Sequence, residues 1–214
     1  MKHQWRKDEK ALYIGAKQPV LLEIPEQKFI SITGQGNPNG EDYAARIAAL
    51  YPMAYNLRFK LKRGEIGDKP FEYTVYPLEG VWTSVEYTPG QPINKNLLVY
   101  KIMIRQPDVI SQMDFEAALA ESMAKKPNDL YAEVQFETYT EGQVVQMLHV
   151  GPFDTEAETF AVIEAFMSEQ GLERDWIMQD YVHREIYLTD PRKIAPEKYK
   201  TTLRVKVKAK KSLT

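Results

Sequence analysis

The order strand, helix, strand, strand occurs twice along this chain of 214 residues, and no other feature constrains the fold as strongly. In the first half, a strand at residues 28–33 leads through a glycine-rich loop into a helix with apolar side chains on one face. Pro52 interrupts that helix, so we expect a kink or two short helices there. Two further strands are predicted at roughly residues 72–84 and 97–105.

The second half repeats this order with different residues. Runs at residues 131–139 and 143–150 are predicted to be strands, joined by a hairpin turn at residues 140–142. Thr155 and Glu158 have the spacing of a capping box at the start of the next helix. The two closing strands are predicted at residues 181–189 and 201–208. Because the halves share few identical residues, the repeat depends on the order of the elements.

Two such modules are most economically accommodated in an α+β fold. We predict a pseudo-twofold duplication of β-α-β-β modules at about residues 26–105 and 131–208, with a linking helix at about 114–126, in one domain spanning residues 1–214. The strands would form an antiparallel sheet with helices on one face and a ligand groove on the other. Since side chains alternate along a strand, each strand offers one set to the helices and the other to the groove.

Composition and charge exclude several classes of protein. The chain has no cysteine, which excludes disulfides and thiolate chemistry and fits a reducing cytoplasm. Residues 1–10 are polar and no apolar run approaches the roughly 20 residues of a membrane span, so we expect neither export nor membrane insertion. A net charge of −2, from 28 Lys and Arg against 30 Asp and Glu, provides no attraction for nucleic acid.

Familiar catalytic motifs are missing from the sequence as well. Residues 34–40 do not complete a dinucleotide fingerprint, and neither a phosphate loop nor a Gly-x-Ser-x-Gly elbow occurs. The three histidines, His3, His149 and His183, do not make a dedicated zinc site without cysteine. We therefore expect no metal and no cofactor, and catalysis would depend on carboxylate, tyrosine and histidine acting on water.

The strand at residues 181–189 carries the strongest candidate site. Alternation places His183, Glu185 and Tyr187 on one face, and on the other an apolar set that we predict to pack against a helix. The apolar set is Val182, Ile186 and Leu188. In a concave groove, a carboxylate among aromatic rings can bind a cation, whereas on a flat solvent-facing sheet it would have no function. Both interpretations are open at this point.

Other strands offer further candidates for the wall of the groove. Met147 and His149 share one face of their strand, and Trp82 follows Gly80, which marks a bend or a close backbone approach. A single histidine in a strand is more often a structural group than a catalyst, and Trp82 fits core packing as well as a ligand site.

Several of these residues lie in motifs that resemble a known family. The motifs extend from about Glu26 to Val207 and occupy residues 34–38, 49–51, 77–82, 147–153, 183–191 and 196–204. Together they resemble stand-alone GyrI-like small-molecule-binding proteins. Two departures are Arg184, where relatives often have histidine, and Phe153, where tyrosine is common.

The resemblance implies two β-α-β-β modules with a ligand groove between them, the fold of the effector domains of multidrug-responsive regulators. It also implies that Glu185 is the pocket glutamate of the family. No helix-turn-helix segment is attached, so the chain would bind its ligand without regulating a promoter directly. Some stand-alone relatives resemble hydrolases that open the cyclopropane ring of DNA-alkylating natural products, and others inhibit or protect DNA gyrase.

Three hypotheses follow for the function. In the first, the protein binds hydrophobic or aromatic molecules, including cationic or genotoxic ones, and Trp82 and Tyr187 stack on the ligand while Glu185 compensates its charge. Three further ligand-binding residues are predicted, namely Met147, His149 and His183. In the second, the protein hydrolyses cyclopropane-containing alkylators for self-protection. In the third, it is a protein-interaction module such as a DNA gyrase modulator.

The hydrolase hypothesis assigns catalytic roles to Glu185 and Tyr187. Glu185 would orient or deprotonate water, and Tyr187 or His149 would supply a proton to the product. The binding hypothesis uses the same residues without turnover, so turnover distinguishes the two.

Overall fold

The computed structural model describes residues 2–86 and 94–210. It confirms the predicted α+β class, with antiparallel pairing between its named strands. In chain order the elements are α1 (Trp5–Asp8), α2 (Lys10–Tyr13), β1 (Val20–Gln35), α3 (Glu41–Arg63), β2 (Leu78–Ser84), β3 (Leu98–Gln106), α4 (Gln112–Lys125), β4 (Gln135–Val150), α5 (Glu156–Glu169), β5 (Leu172–Arg174), β6 (His183–Tyr187) and β7 (Lys200–Ala209). The order strand, helix, strand, strand occurs twice, as β1-α3-β2-β3 and, with the short β5 inserted, as β4-α5-β6-β7.

The described residues form two compact units. The first draws on Met1–Asp8, Gln27–Leu78 and Thr83–Tyr139, and the second on Glu9–Glu26, Glu79–Trp82 and Thr140–Thr214. All six candidate site residues belong to the second unit. The predicted twofold relation between the modules stays a prediction.

In the first unit, α3 packs against β3 and α4. It runs unbroken from Glu41 to Arg63, so the expectation of two short helices at Pro52 is wrong. Ala49, Leu50 and Met53 on either side of the proline are fully buried, and we attribute the continuity to their packing, which offsets the lost backbone hydrogen bond. Gly64 ends the helix in the left-handed conformation.

The second unit is built on the antiparallel series β2, β6, β7, β4. Register places Glu185 opposite Leu203, and Leu203 opposite Met147. Leu203 belongs to a buried cluster with Ile163 and Met167 of α5. Because directly opposed residues point to the same face of a sheet, α5 covers the face that carries Glu185.

This arrangement reverses the predicted assignment of the two faces of β6. Val182, Ile186 and Leu188 were expected to pack against a helix, but their face also carries Arg184, which is completely buried. That face holds a network of buried charges, and α5 packs on the opposite face. Local alternation identified the two sets of side chains correctly, but the choice between the faces depends on residues distant in sequence.

The charge network contains two arginines and two glutamates from four strands. Arg184 Nη1 on β6 donates to Glu79 Oε2 on β2 at 3.1 Å, and its Nε lies 3.3 Å from Glu141 Oε1 on β4. Glu141 Oε2 also accepts a hydrogen bond of 3.0 Å from Arg204 Nη1 on β7. All four side chains are at most 2% exposed. Two positive and two negative charges therefore compensate each other out of contact with water.

Glu141 also explains why the hairpin predicted at residues 140–142 is wrong. β4 continues as one strand from Gln135 to Val150. Gly142 adopts a φ of 75°, a conformation that glycine tolerates, and the strand passes through it without turning back. The pairing of Glu141 with two arginines holds this segment in the sheet.

The segment before β1 docks on the charged face of the same sheet. Arg204 Nη2 donates to the carbonyl of Leu12, and Thr202 Oγ1 donates to the carbonyl of Tyr13 at 2.8 Å. A Cβ atom on Gly15 would lie 2.7 Å from the backbone nitrogen of Leu148, so only glycine permits this close approach. Residues 11–15 therefore cover the side of the sheet opposite to α5.

We expect Glu141→Gln to lower the free energy of unfolding by on the order of 3–5 kcal/mol, because it leaves two buried arginines with one carboxylate. Urea denaturation monitored by circular dichroism measures the change. Glu164→Gln is the matched control, since Glu164 pairs with Arg174 at the surface and is 47% exposed. A loss no larger than that of the control would show that the network contributes little to stability.

Candidate active site

The six side chains predicted as site residues lie on the face of the second-unit sheet that α5 covers. Register pairs Trp82 with His183 and Gly80 with Glu185. Thr201 of β7 lies between two of them, because it pairs with Tyr187 of β6 on one side and with His149 of β4 on the other. The prediction that these residues share one face is consistent with this geometry, whereas their contact with a ligand stays a prediction.

Both oxygens of the Glu185 carboxylate accept hydrogen bonds. The His183 Nε2–H group donates to Oε1 at 2.9 Å, and the Tyr187 hydroxyl donates to Oε2 at 2.8 Å. Trp82 Nε1–H in turn donates to the Tyr187 oxygen at 3.1 Å. The Glu185 side chain is 12% exposed, so this carboxylate is oriented by fixed donors and keeps a small opening to water.

Gly80 makes this arrangement possible. It lies directly opposite Glu185, and a Cβ atom there would be 2.6 Å from Trp82 Nε1 and 3.1 Å from the Tyr187 hydroxyl oxygen. A larger residue would push the indole away from the tyrosine. The close approach predicted at Gly80 is therefore confirmed, and the atoms that approach are side-chain atoms of the site.

Aromatic rings surround the Glu185 hydrogen bonds. Phe160 of α5 packs edge-on against the His183 ring at a centroid distance of 4.7 Å. Phe153 packs edge-on against Tyr187 at 5.9 Å and is 40% exposed. Trp82 is only 5% exposed, so its ring contributes to packing in addition to any ligand contact. Such rings provide an apolar boundary for a carboxylate that could face a cation or a water molecule.

His149 has a structural environment. It is 5% exposed, its Nδ1 lies 2.8 Å from Thr159 Oγ1, and its Nε2 lies 3.1 Å from the carbonyl oxygen of Pro152. A carbonyl only accepts, so the proton is assigned to Nε2, and Nδ1 accepts from the threonine. These bonds tie β4 to the turn before α5 and favour the structural interpretation of His149.

The capping box predicted at Thr155 and Glu158 is wrong. Thr155 is the N-cap residue of α5, but its side chain makes no capping hydrogen bond. Its hydroxyl instead donates to the carbonyl of Pro152 at 2.8 Å and lies 3.3 Å from His149 Nε2. The Thr155 hydroxyl therefore contacts the Pro152 carbonyl and His149 and does not cap the helix. Met147, the remaining candidate, packs beside the hydrophobic cluster under α5.

Glu156, in the first turn of α5, is the residue that sequence analysis missed. It is 7% exposed, and its Oε1 is buried without a hydrogen-bond partner among the described residues. Its side chain forms a hydrogen bond with Thr201, the residue that lies between Tyr187 and His149. A glutamate beside a helix start ordinarily faces water, and no local pattern marked this one as buried.

Burial, the largest cause, and the negative charge of Glu185 together raise the pKa of the Glu156 carboxyl to about 10. Asp154 adds a smaller effect of the same sign, while the hydrogen bond with Thr201 acts in the opposite direction. Glu156 is therefore a neutral acid at physiological pH. The site thus combines a carboxylate held by donors with a carboxylic acid, the pair of groups required for general base and general acid chemistry.

Within residues 2–86 and 94–210, no group of three or more His, Asp or Glu side chains is arranged to hold a metal ion. In the same part of the chain, no helix has the length and apolar character needed to cross a membrane.

Comparisons with known proteins place these observations in a family. The sequence pattern of the GyrI-like small molecule binding domain matches residues 17–208. A crystal structure of a hydrolase from Listeria innocua is 35% identical, with a TM-score of 0.84, and the match covers 96% of this chain and 100% of that chain. A structure of an uncharacterized conserved protein from Listeria innocua is also 35% identical, with a TM-score of 0.86 and the same coverage of 96% and 100%.

A more distant likeness concerns the fold alone. The crystal structure of the EcmrR C-terminal domain is 14% identical, with a TM-score of 0.52, and the match covers 90% of this chain and 98% of that chain. Among curated protein sequences, none matches this chain.

We expect Glu156→Gln to stabilise the protein by up to about 3 kcal/mol at pH 7. The folded state must keep a proton that the unfolded state loses above its ordinary pKa of 4.5, so stability falls as pH rises from there toward about 10. The amide is neutral and escapes this cost. Urea denaturation from pH 4 to pH 9 should show the two proteins converging at low pH.

Glu158→Gln is the control for this experiment, because Glu158 lies in the same helical turn and is exposed. Its stability should follow the parent at every pH. If Glu156→Gln also follows the parent, Glu156 is ionised in the folded protein.

Proposed function

Because the chain belongs to the GyrI-like small molecule binding domain family, we propose that it binds apolar or aromatic molecules at Glu185 and hydrolyses strained electrophiles among them. The observation that carries this proposal is the Glu185 carboxylate, whose two oxygens are fixed by His183 and Tyr187 while the side chain stays 12% exposed. We place this activity in the cytoplasm, in keeping with a chain that has no cysteine.

The binding part of the proposal follows from charge and aromatic surface. A carboxylate in an apolar, partly buried setting favours a cationic partner, because their attraction is stronger there than in water. Phe153 and Tyr187 offer ring surface on which a flat ligand could stack. The ligand class is therefore hydrophobic and aromatic, with cationic members preferred.

The hydrolytic part follows from the orientation of Glu185. A carboxylate that accepts two hydrogen bonds cannot rotate freely, so a water molecule beside it would be held in a defined direction. Glu185 would then remove a proton from that water as it attacks a cyclopropane carbon. The similarity to a Listeria hydrolase supports this choice of reaction class. Ring opening would destroy a DNA-alkylating agent, so the role would be detoxification of genotoxic compounds and self-protection.

We expect Glu185→Gln to separate charge recognition from shape recognition. The amide keeps the size of the side chain but removes its negative charge, so affinity for N-methylacridinium should fall about tenfold or more. Affinity for neutral acridine at pH 8, which has nearly the same shape, should change little. Fluorescence titration measures both constants.

The same variant tests hydrolysis. With a cyclohexadienone that carries a spiro-fused cyclopropane as substrate, ring opening by Glu185→Gln should be slower than in the parent by about 10²–10⁴-fold. Mass spectrometry detects the product as substrate plus one water. Glu158→Gln, with its exposed carboxylate, serves as the control. A Glu185→Gln protein that binds the cation and turns over the dienone as the parent does would refute both roles of Glu185.

Trp82→Phe tests whether the indole contributes to binding beyond its place in the core. The change keeps a buried ring but removes the hydrogen bond to Tyr187, so the free energy of unfolding should fall by about 1–2 kcal/mol. If Trp82 also contacts the ligand, affinity for N-methylacridinium should fall several-fold. A loss of stability with unchanged affinity would assign Trp82 to packing alone.

A further inference from the structure

The two proton donors that sequence analysis offered for ring opening are both engaged within the protein. The Tyr187 hydroxyl donates to Glu185 at 2.8 Å, and the Nε2–H of His149 faces the carbonyl of Pro152 at 3.1 Å. Either group would have to break a protein hydrogen bond before it could protonate a product. The reaction therefore calls for another acid near Glu185.

Glu156 meets this requirement by position. It is a buried residue of α5, as are Ile163 and Met167, which pack on the sheet face that carries Glu185. It also interacts electrostatically with the Glu185 carboxylate. Its Oε1 is buried and has no hydrogen-bond partner among the described residues, although burying an unpaired polar atom is costly. An unpaired carboxyl oxygen beside a carboxylate is what a site needs in order to donate a proton to a bound molecule.

We propose that Glu156 is the proton donor of the site and protonates the oxygen atom on which negative charge develops as the ring opens. This inference rests on the hydrolytic part of the proposed function. It adds a second catalytic carboxyl and assigns Tyr187 to orienting Glu185.

The step balances with the spirocyclopropyl cyclohexadienone as substrate. Water gives one proton to Glu185 while its oxygen forms a bond to a cyclopropane methylene carbon. The bond from that methylene to the spiro carbon breaks, and its electron pair makes the six-membered ring aromatic. The former carbonyl oxygen takes the proton of Glu156, which yields para-hydroxyethylphenol. A proton then passes from Glu185 to Glu156 and restores the starting state.

The pH dependence follows from the groups around Glu156. Glu185 on β6 and Asp154 in the preceding turn act on it by charge, and the adjacent strands carry the titratable His149, His183 and Tyr187. With a pKa of about 10, Glu156 is protonated below that pH and loses its proton as pH rises through it. The rate should therefore be level at neutral pH and fall above about pH 10.

The test compares the parent with Glu156→Gln, Glu156→Asp and the exposed control Glu158→Gln. Turnover of the dienone is followed by ultraviolet absorbance of the phenol from pH 6 to pH 11. We expect Glu156→Gln to lower kcat by about 10²–10⁴-fold, to leave KM within a few-fold and to abolish the fall at high pH. Glu156→Asp keeps an acid and should recover part of the rate. Glu158→Gln should behave as the parent.

A second measurement does not depend on turnover. Infrared spectroscopy at pH 8 should show the C=O band of a protonated carboxylic acid in the parent and in Glu158→Gln, but not in Glu156→Gln. Absence of this band from the parent overturns the proposal whatever the kinetics show.

The kinetic outcomes distinguish this proposal from the function on which it rests. A parent without turnover refutes the hydrolytic function, and the donor role with it. An active parent whose Glu156→Gln variant is equally fast, or keeps the fall at high pH, refutes the donor role alone and assigns the proton to another acid such as Tyr187. Slow turnover without the fall at high pH, in a Glu156→Gln protein at least as stable as the parent, supports the proposal, because a purely structural residue would not alter the pH profile.

Discussion

The buried pairing of Arg184 and Arg204 with Glu79 and Glu141 is the constraint on which the second unit depends. Each of these charges comes from a different strand, and each loses its hydration when the sheet forms. These ion pairs form only if the four strands pair in the observed register. A shift of β6 by one residue would move Arg184 to the face under α5 and bring Glu185 among like charges. The charges therefore determine which face the candidate site occupies.

Once those charges are compensated, the opposite face can hold carboxyl groups without a matching arginine. The Glu185 carboxyl accepts hydrogen bonds from His183 and Tyr187, and the raised pKa of Glu156 favours its neutral, protonated form. The two groups act on each other, because the negative charge on Glu185 disfavours a second one on Glu156. The burial of both groups on one face thus favours a single negative charge over two.

Sequence patterns predicted those parts of this arrangement that depend on neighbours along the chain. Alternation grouped His183, Glu185 and Tyr187 correctly, because the period of a strand is a local property. It could not predict which face α5 covers, since that choice is made by Arg184 and its partners on other strands. Glu141 was assigned to a turn for the same reason. A Thr-Glu-Gly run has the composition of a turn, whereas in the structure Glu141 lies in a strand and pairs with two arginines that are distant in sequence.

Glu156 was missed because a glutamate in the first turn of a helix usually faces solvent, where it interacts favourably with the helix dipole. The departure at Arg184, by contrast, was visible in the sequence, and the structure gives it a physical meaning. A guanidinium stays charged over the whole physiological pH range, whereas an imidazole would lose its charge near neutrality. With arginine at this position, the positive charge that pairs with Glu79 and Glu141 persists through the physiological pH range. The proton transfer that we propose between Glu185 and Glu156 would therefore leave the charge of Arg184 on the opposite face unchanged.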